Sequence, residues 1–406
     1  MLESMFPILD FDEFHRDLAV RLAEGNGALA RRALLDDRTV ALRVPGRAGY
    51  TYRGVPESVE VVAGTDSATS IVEMSAGAWS DYAHELRTGF GLLYANLLQC
   101  PKGRLDDFIA WDPAIRAMYS GRPVYQPGGA DLVGDEGAPL DLAASFALDS
   151  DRGEMLHFLR TTGFVHIRGV FDATEVEVFR QEAVRLAAVA RPGDDRSWWA
   201  KDKDGEDVCC RLTYVNERSE LLARVHTDER LVGLMETMSD GVQIAVQNER
   251  GDGHSIVIKN PRIVEGLSDL PWHVDCGLGG HPVMCPGFNV GVQLDGASAE
   301  SGQLHFLAGS NGRTAVHLPA DLLTDPAYPT VTVSTDPGDV TIHYTDTLHA
   351  SPAPTGDGPG RRALYLSWNN PLLSEFIPPG QGFNDIVLRS GEGNRVRTVA
   401  DQLAGS

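Results

Sequence analysis

A chain of 406 residues, 42% hydrophobic and 23% charged, has material for a sizeable core and, at about 150 residues per domain, for two or three domains. Its 35 basic and 57 acidic side chains leave a formal charge of −22. Such a surface repels phosphate backbones and anionic membranes, which argues against nucleic acid as a partner. Five cysteines without paired zinc spacing fit a reduced, cytoplasmic setting. An acidic N-terminus and the lack of a run of about 18 apolar residues predict neither a signal peptide nor a membrane span.

The chain divides by composition into an N-terminal α+β region over 1–125, a linker over 126–142 and a C-terminal domain over 143–406. The linker, "QPGGADLVGDEGAPLDL", is rich in Gly, Pro and Asp and lacks periodicity. Helical patterning runs over about 11–35. "TVALRV" (39–44), "VEVVAG" (59–64) and "TSIVEM" (69–74) read as strands, followed by a long helix capped by Ser75. His15 and Asp17 form a His-x-Asp pair within the first helix. Two positions on a helix differ by about 200°, so the pair cannot face one ion and reads as a solvated helix face.

The C-terminal domain opens with a strand, "GFVHIRG", and a helix. Asp172 and Glu175 are spaced as a capping box, and Val176, Phe179, Ala183 and Leu186 recur at helical spacing. A second His-x-Asp pair, His226 and Asp228, lies in a stretch that also reads as helical. From about 255 the pattern changes to short alternating stretches between Gly, Pro and Asp turns: "SIVIKN", "FNVGVQLDG", "GQLHFLAG", "TVTVST", "GDVTIHY" and "RRALYLSW". This pattern predicts a sandwich or jelly roll; the fold expected is the jelly roll, a double-stranded β-helix of cupin type with flanking helices, so that the whole chain is α+β.

A third His-x-Asp pair, His273 and Asp275 in "PWHVDCG", falls within this strand-rich part. On an extended segment, side chains two apart share a face, so this copy alone can present both groups to one metal. A facial iron triad adds a second histidine and keeps open positions. His349, just after "GDVTIHY", is the preferred third ligand and His343 its rival. His281, His305 and His317 read as structural or surface residues. An open iron site in an oxygenase calls for a reducing cosubstrate. If this is 2-oxoglutarate, its far carboxylate calls for an arginine fork. Arg361 is favoured over Arg362, because Arg361, Ala363, Tyr365 and Ser367 make a small-to-polar face while Leu364, Leu366 and Trp368 make an apolar one. Ser351 adds a hydroxyl donor.

Taken together and in order, "TTGFVHIRGVFDATEVEVFRQE", "WHVD" (272–275), "SGQLHFLAGSNG" (301–312), "PGDVTIHYTDTLHAS" (337–351) and "RRAL" resemble the phytanoyl-CoA dioxygenase family of non-haem iron, 2-oxoglutarate-dependent oxygenases. The resemblance spans roughly 150–375. It implies His273, Asp275 and His349 as the catalytic iron(II) ligands, Arg361 and Ser351 as anchors of 2-oxoglutarate, and O2 as co-reactant. It also implies hydroxylation of an unactivated carbon of a small organic substrate with release of succinate and CO2. Asn311 and Val274 depart from residues frequent in the family. The presence of Asp275 argues against halogenation, for which related enzymes replace this carboxylate.

The resemblance further implies a substrate lid between the opening helix and the His-x-Asp strand, here 191–217. Trp198 and Trp199 would cover an apolar substrate, and Arg211 or Lys259 would meet an anionic group. The N-terminal region resembles sterol carrier protein domains, which implies a lipid, sterol or carrier-linked substrate. Three alternatives stay open: a lipid carrier on an inactive oxygenase fold, oxidative tailoring of a polar natural-product intermediate, and a zinc- or manganese-dependent cupin-like isomerase or hydrolase. Monomer and homodimer are both open.

Overall fold

The computed structural model describes residues 5–34, 36–247, 253–263, 270–278, 281–314, 322–358, 360–377 and 382–389. In the N-terminal region β1 (Val40–Arg43), β2 (Tyr50–Val55), β3 (Ser58–Ala63), β4 (Ser70–Glu73) and β5 (Gln99–Lys102) form one sheet. Their order is β3-β2-β1-β4-β5, and β1 runs parallel to β4. Strands β2 and β5 were not expected from the sequence. The helix expected after Ser75 is two helices, Ala76–Ala83 and Gly89–Tyr94. Glu85 adopts a φ of 59°, which ends the first, and the Thr88 side chain caps the second.

The space between this sheet and its helices is filled by Phe11, Tyr52, Trp79, Tyr82 and Tyr119. His15 belongs to this core, which corrects the solvated face expected for it. Its ring stacks on Tyr50 at 4.1 Å, and its nitrogens meet the Phe11 carbonyl and the Tyr52 hydroxyl, each at 2.6 Å. The helical pattern was right, but the face was wrong: an imidazole with both nitrogens satisfied can be buried.

Residues 126–142 hold no named strand or helix, yet Leu132, Leu140 and Leu142 pack against the C-terminal core. Beyond them come helix Arg152–Thr162, β7 (Phe164–Arg168) and helix Ala173–Val189. The Asp172–Glu175 capping box is formed, a device worth about 1 kcal/mol, and the four apolar residues read as its core face are buried.

Two antiparallel-rich sheets make the jelly roll. The large one is ordered β6-β7-β16-β13-β18-β11-β9-β8, with β10 also against β18. Here β6 is Phe146–Ala147, β8 Ser197–Lys201, β9 Asp207–Leu212, β10 Ala245–Val246 and β11 Ser255–Lys259. The remaining three are β13 (Phe288–Gln293), β16 (Val340–Tyr344) and β18 (Arg361–Asn369). The small sheet is ordered β12-β17-β14-β15: β12 (Leu270–His273), β17 (His349–Ser351), β14 (Leu304–Leu307) and β15 (Thr330–Val333).

Alternation sorts β18 as its sequence suggests. Leu364 and Leu366 join the apolar core, whereas Arg361 faces the small sheet and touches Ser351. By register, Asn289 lies opposite both His343 and Ser367, and Gly291 opposite Thr341 and Tyr365, so these residues share that inward face. Gly291 is needed there. A Cβ at this position would lie 2.9 Å from the Tyr365 ring and 3.0 Å from the Thr341 hydroxyl.

Candidate metal and cosubstrate site

His273 and His349 are direct cross-strand partners on β12 and β17, with ring centroids 4.3 Å apart. Strand β12 ends at His273. Asp275 is the first residue of a 3-10 turn, Asp275–Leu278, rather than part of an extended segment as expected. The turn nevertheless returns its carboxylate to the histidines. The Nε2 atoms of His273 and His349 lie 3.6 and 3.5 Å from the Asp275 oxygens, and one ligand atom from each of the three falls within 4.8 Å of the others.

The surroundings prepare these groups for a cation. Nδ1 of His273 lies 2.8 Å from the Pro271 carbonyl, and Nδ1 of His349 lies 3.0 Å from that of Thr347. Both rings are thereby fixed as tautomers with the Nε2 lone pair turned toward the cluster. Burial lowers the pKa of His349 to about 3, so its imidazole is neutral and able to ligate. Burial alone would raise the Asp275 carboxyl, but the neighbouring His349 and the hydrogen bond from His343 hold it well below the usual range.

His343, ranked below His349 as a ligand, plays a different part. Its Nε2 lies 3.0 Å from Asp275 Oδ2, and the Asn289 amide donates to the same oxygen at 2.7 Å. Ser367 in turn donates to Asn289 Oδ1. Oδ2 is thus held by the protein and lies 3.5 Å from His349 Nε2, while Oδ1 lies 3.6 Å from His273 Nε2. Neither Asn289 nor Ser367 was singled out from sequence. Their signal was available: both are polar residues at inward positions of alternating strands.

Arg361 lies deeper, 2% exposed. Its Nε donates to the Gly302 carbonyl at 2.9 Å and its Nη2 to Ser351 Oγ at 3.0 Å, with Tyr365 also beside it. Among the described residues its guanidinium pairs with no carboxylate, and burial lowers its pKa. Arg362 faces the other way, in a two-pronged ion pair with Asp295 at 2.8 and 3.1 Å. A buried cation with only neutral partners is costly and fits an anionic ligand such as a keto-acid carboxylate. Two imidazoles, one carboxylate and this cation fit iron(II) and 2-oxoglutarate together.

Of the other expected residues, Lys259 stands opposite Arg361 in the β11-β18 register, beside the candidate anchor, and Arg211 lies on the next strand, β9. Lys259 is 1% exposed, and its ammonium donates to the Ser351 carbonyl at 2.5 Å. Arg211 donates to Ser255 Oγ at 2.9 Å and lies over the Trp198 ring at 4.8 Å. The stretch 191–217, expected as a lid, instead forms the β8-β9 hairpin at the edge of the large sheet. Trp198 and Trp199 therefore belong to different clusters. Trp198 is buried with Ile263 and Val387, while Trp199 packs against the main core. Packed into different clusters, with a register shift between them in the β8-β9 pairing, they do not cover one substrate together.

His226 lies in a 3-10 turn, and Asp228 caps the next helix and pairs with Arg230, so this stretch is not one helix. His305 meets the Thr332 hydroxyl at 2.9 Å. His281 is buried in a charged cluster rather than at the surface. His317 lies outside the described residues.

No helix among the described residues is long and apolar enough to cross a membrane. No curated protein sequence matches the chain. Solved structures similar to it include AviO1 from Streptomyces viridochromogenes Tue57, at 23% identity over 54% of this chain and 96% of that one, TM-score 0.43. The epimerase SnoN, in complex with Fe3+, alpha ketoglutarate and nogalamycin RO, is 21% identical over 61% of this chain and 96% of that one, TM-score 0.45. EctD from S. alaskensis, with 2-oxoglutarate and 5-hydroxyectoine, is 18% identical over 61% and 82%, TM-score 0.44. The family model described as phytanoyl-CoA dioxygenase (PhyH) matches residues 159–363, half of the chain. With that match, the chain belongs to the phytanoyl-CoA dioxygenase family and is an oxygenase dependent on iron(II), 2-oxoglutarate and O2.

Proposed function

We propose that His273, Asp275 and His349 hold the iron through Nε2, Oδ1 and Nε2, that Arg361 and Ser351 anchor 2-oxoglutarate, and that the enzyme oxidises a C–H bond of a small polar substrate. The observation that carries the reading is the pairing of a three-ligand cluster with a buried guanidinium that has no carboxylate partner among the described residues. With O2 as the oxidant, bound iron(II) and 2-oxoglutarate would supply the oxidation chemistry, the keto acid giving up two electrons and leaving as succinate and CO2. The chain's own residues do the rest. His343 and Asn289 aim the carboxylate, the Pro271 and Thr347 carbonyls fix the imidazoles, and Arg361 sets the reach of the keto acid.

The inward wall favours a polar substrate over an acyl chain or sterol. It carries Ser255, Lys259, Tyr365, Thr341 and Gln293 on adjacent strands. The aromatic filling of the N-terminal region, and the packing of helix Gly89–Tyr94 against the Asp275 turn, support a buttress rather than a lipid carrier. Anaerobic titration of the purified protein with iron(II) and 2-oxoglutarate tests the site. A weak visible charge-transfer band is expected in the wild type and not in His349→Ala or Arg361→Ala. Iron binding without that band in the wild type would overturn the keto-acid assignment.

A further inference from the structure

Asp275 is followed at once by a cysteine, and the segment after it folds back beside a second one. Cys285 Sγ lies 2.9 Å from His281 Nδ1, and ligand atoms of His281, Cys285 and Asp346 all fall within 4.8 Å of one another. The Cys276 thiol interacts with both Cys285 and His281. Cys276, His281 and Asp346 are buried. Asp346 Oδ2 is already engaged by the Gly312 N–H at 2.9 Å and by Arg122 at 3.1 Å, which leaves Oδ1 available.

We propose that Cys276, His281, Cys285 and Asp346 form a second metal site, structural and of the zinc class, that fastens the turn beginning with Asp275 to the loop leading into His349. Two thiolates, an imidazole and a carboxylate are four donors of the kind that zinc takes tetrahedrally, and the thiolates make the set softer than the iron cluster. The spacing Cys-x4-His-x3-Cys brings three of them from one short segment. On binding, each thiol gives up its proton to solvent and its sulfur bonds to the metal, with no change of oxidation state.

The surroundings suit that charge. His281 Nε2, on the far side of the ring, is met by the Arg122 guanidinium and lies 3.6 Å from Glu85 Oε2; on metal binding a small turn away from the guanidinium would let it donate its N–H to that carboxylate. Arg122 contacts His281 and pairs with Glu85 and Asp346, and Arg116 pairs with Glu85. These guanidiniums balance the negative charge that two thiolates add. The position explains a use. Cys276 adjoins the Asp275 carboxylate, its N–H donates to the Thr345 carbonyl at 3.1 Å, and Asp346 lies shortly before His349. A metal here would hold both loops against the N-terminal region.

The test is elemental analysis of the full chain, purified without chelator. The expected result is a near-stoichiometric zinc content that His273→Ala retains while losing iron, and that Cys276→Ser and Cys285→Ser lose. A serine variant that fails to fold would also lose zinc, so the wild type is exchanged with cobalt(II) as a second measurement. Thiolate ligation then gives an intense near-ultraviolet charge-transfer absorption, which ligands from His273, Asp275 and His349 do not produce. Zinc-free protein whose two thiols alkylate at once in native buffer would overturn the proposal. So would a Cys276–Cys285 disulfide, or cobalt loading without the thiolate band.

Discussion

Arg361 and Arg362 are adjacent in the chain and opposite in environment. Arg361 is buried among the Gly302 carbonyl, Ser351 and Tyr365, whereas Arg362 is neutralised by Asp295 on the other face of the same strand. The difference follows from the strand's two-residue period, which sends successive side chains to opposite sides of a sheet.

Replacing these two arginines should therefore have unequal effects. Arg361→Ala is expected to raise the 2-oxoglutarate concentration for half-saturation by about tenfold to a hundredfold, the range for losing a charge-assisted hydrogen bond. Arg362→Ala removes a partly exposed ion pair and should leave it nearly unchanged. Cosubstrate titrations of both variants measure this, and equal shifts would reject Arg361 as the anchor.

Iron content separates the three His-x-Asp pairs. Asp275→Ala and His349→Ala should purify with little iron. His226→Ala and the buried-core variant His15→Gln should retain it at wild-type stoichiometry, because neither residue is near the cluster. Similar iron loss in all four variants would point to general unfolding or a misassigned site.

In the proposed site, His343 would act on the metal through Asp275. Its removal leaves Oδ2 held by Asn289 alone, so His343→Ala should weaken iron(II) binding by about 10- to 100-fold, the usual effect of losing such a partner. His343→Gln keeps a donor on the strand and should restore part of the affinity. Competition with a chromogenic chelator reads both variants. No loss in His343→Ala would show that Asn289 alone suffices to orient the carboxylate.

Two buried histidines make folding stability depend on pH. Burial holds His15 and His254 at about 4, below the ordinary 6.5. The unfolded chain therefore takes up these protons first. The stability they contribute is present above pH 6.5 and is lost as pH falls toward 4, by up to about 3 kcal/mol for each group. Denaturant midpoints at pH 7.5 and 5.0 should show a fall that is smaller in His15→Gln than in the wild type. The same fall in both would exclude His15 as a source.

Much of the C-terminal domain could be read from local pattern. Alternation marked β11, β13 to β16 and β18, and the sided strand "RRALYLSW" distinguished Arg361 from its neighbour. What the sequence did not disclose depends on contacts between distant segments. The β8-β9 hairpin looked like a charged loop because its pairing partner β11 lies far along the chain. The break at Glu85 is a backbone conformation that periodicity does not record. His15 looked exposed because the aromatic residues that surround it come from four separate elements. The roles of His343 and Asn289 require knowing which strands stand side by side.

Glu85, from the N-terminal region, meets Arg122 and His281 in the interior, and helix Gly89–Tyr94 rests on the turn that begins with Asp275. The chemistry is therefore not a portable module. A chimera that grafted residues 143–406 onto a foreign partner would strand His281 and Asp346 without their counter-charges and leave the Asp275 turn unsupported. Recombination between relatives should tolerate exchange of the β8-β9 edge far better than exchange at the boundary between the two halves. Surface substitutions around Glu85, remote from any substrate, belong among the positions through which such an enzyme's iron affinity can drift.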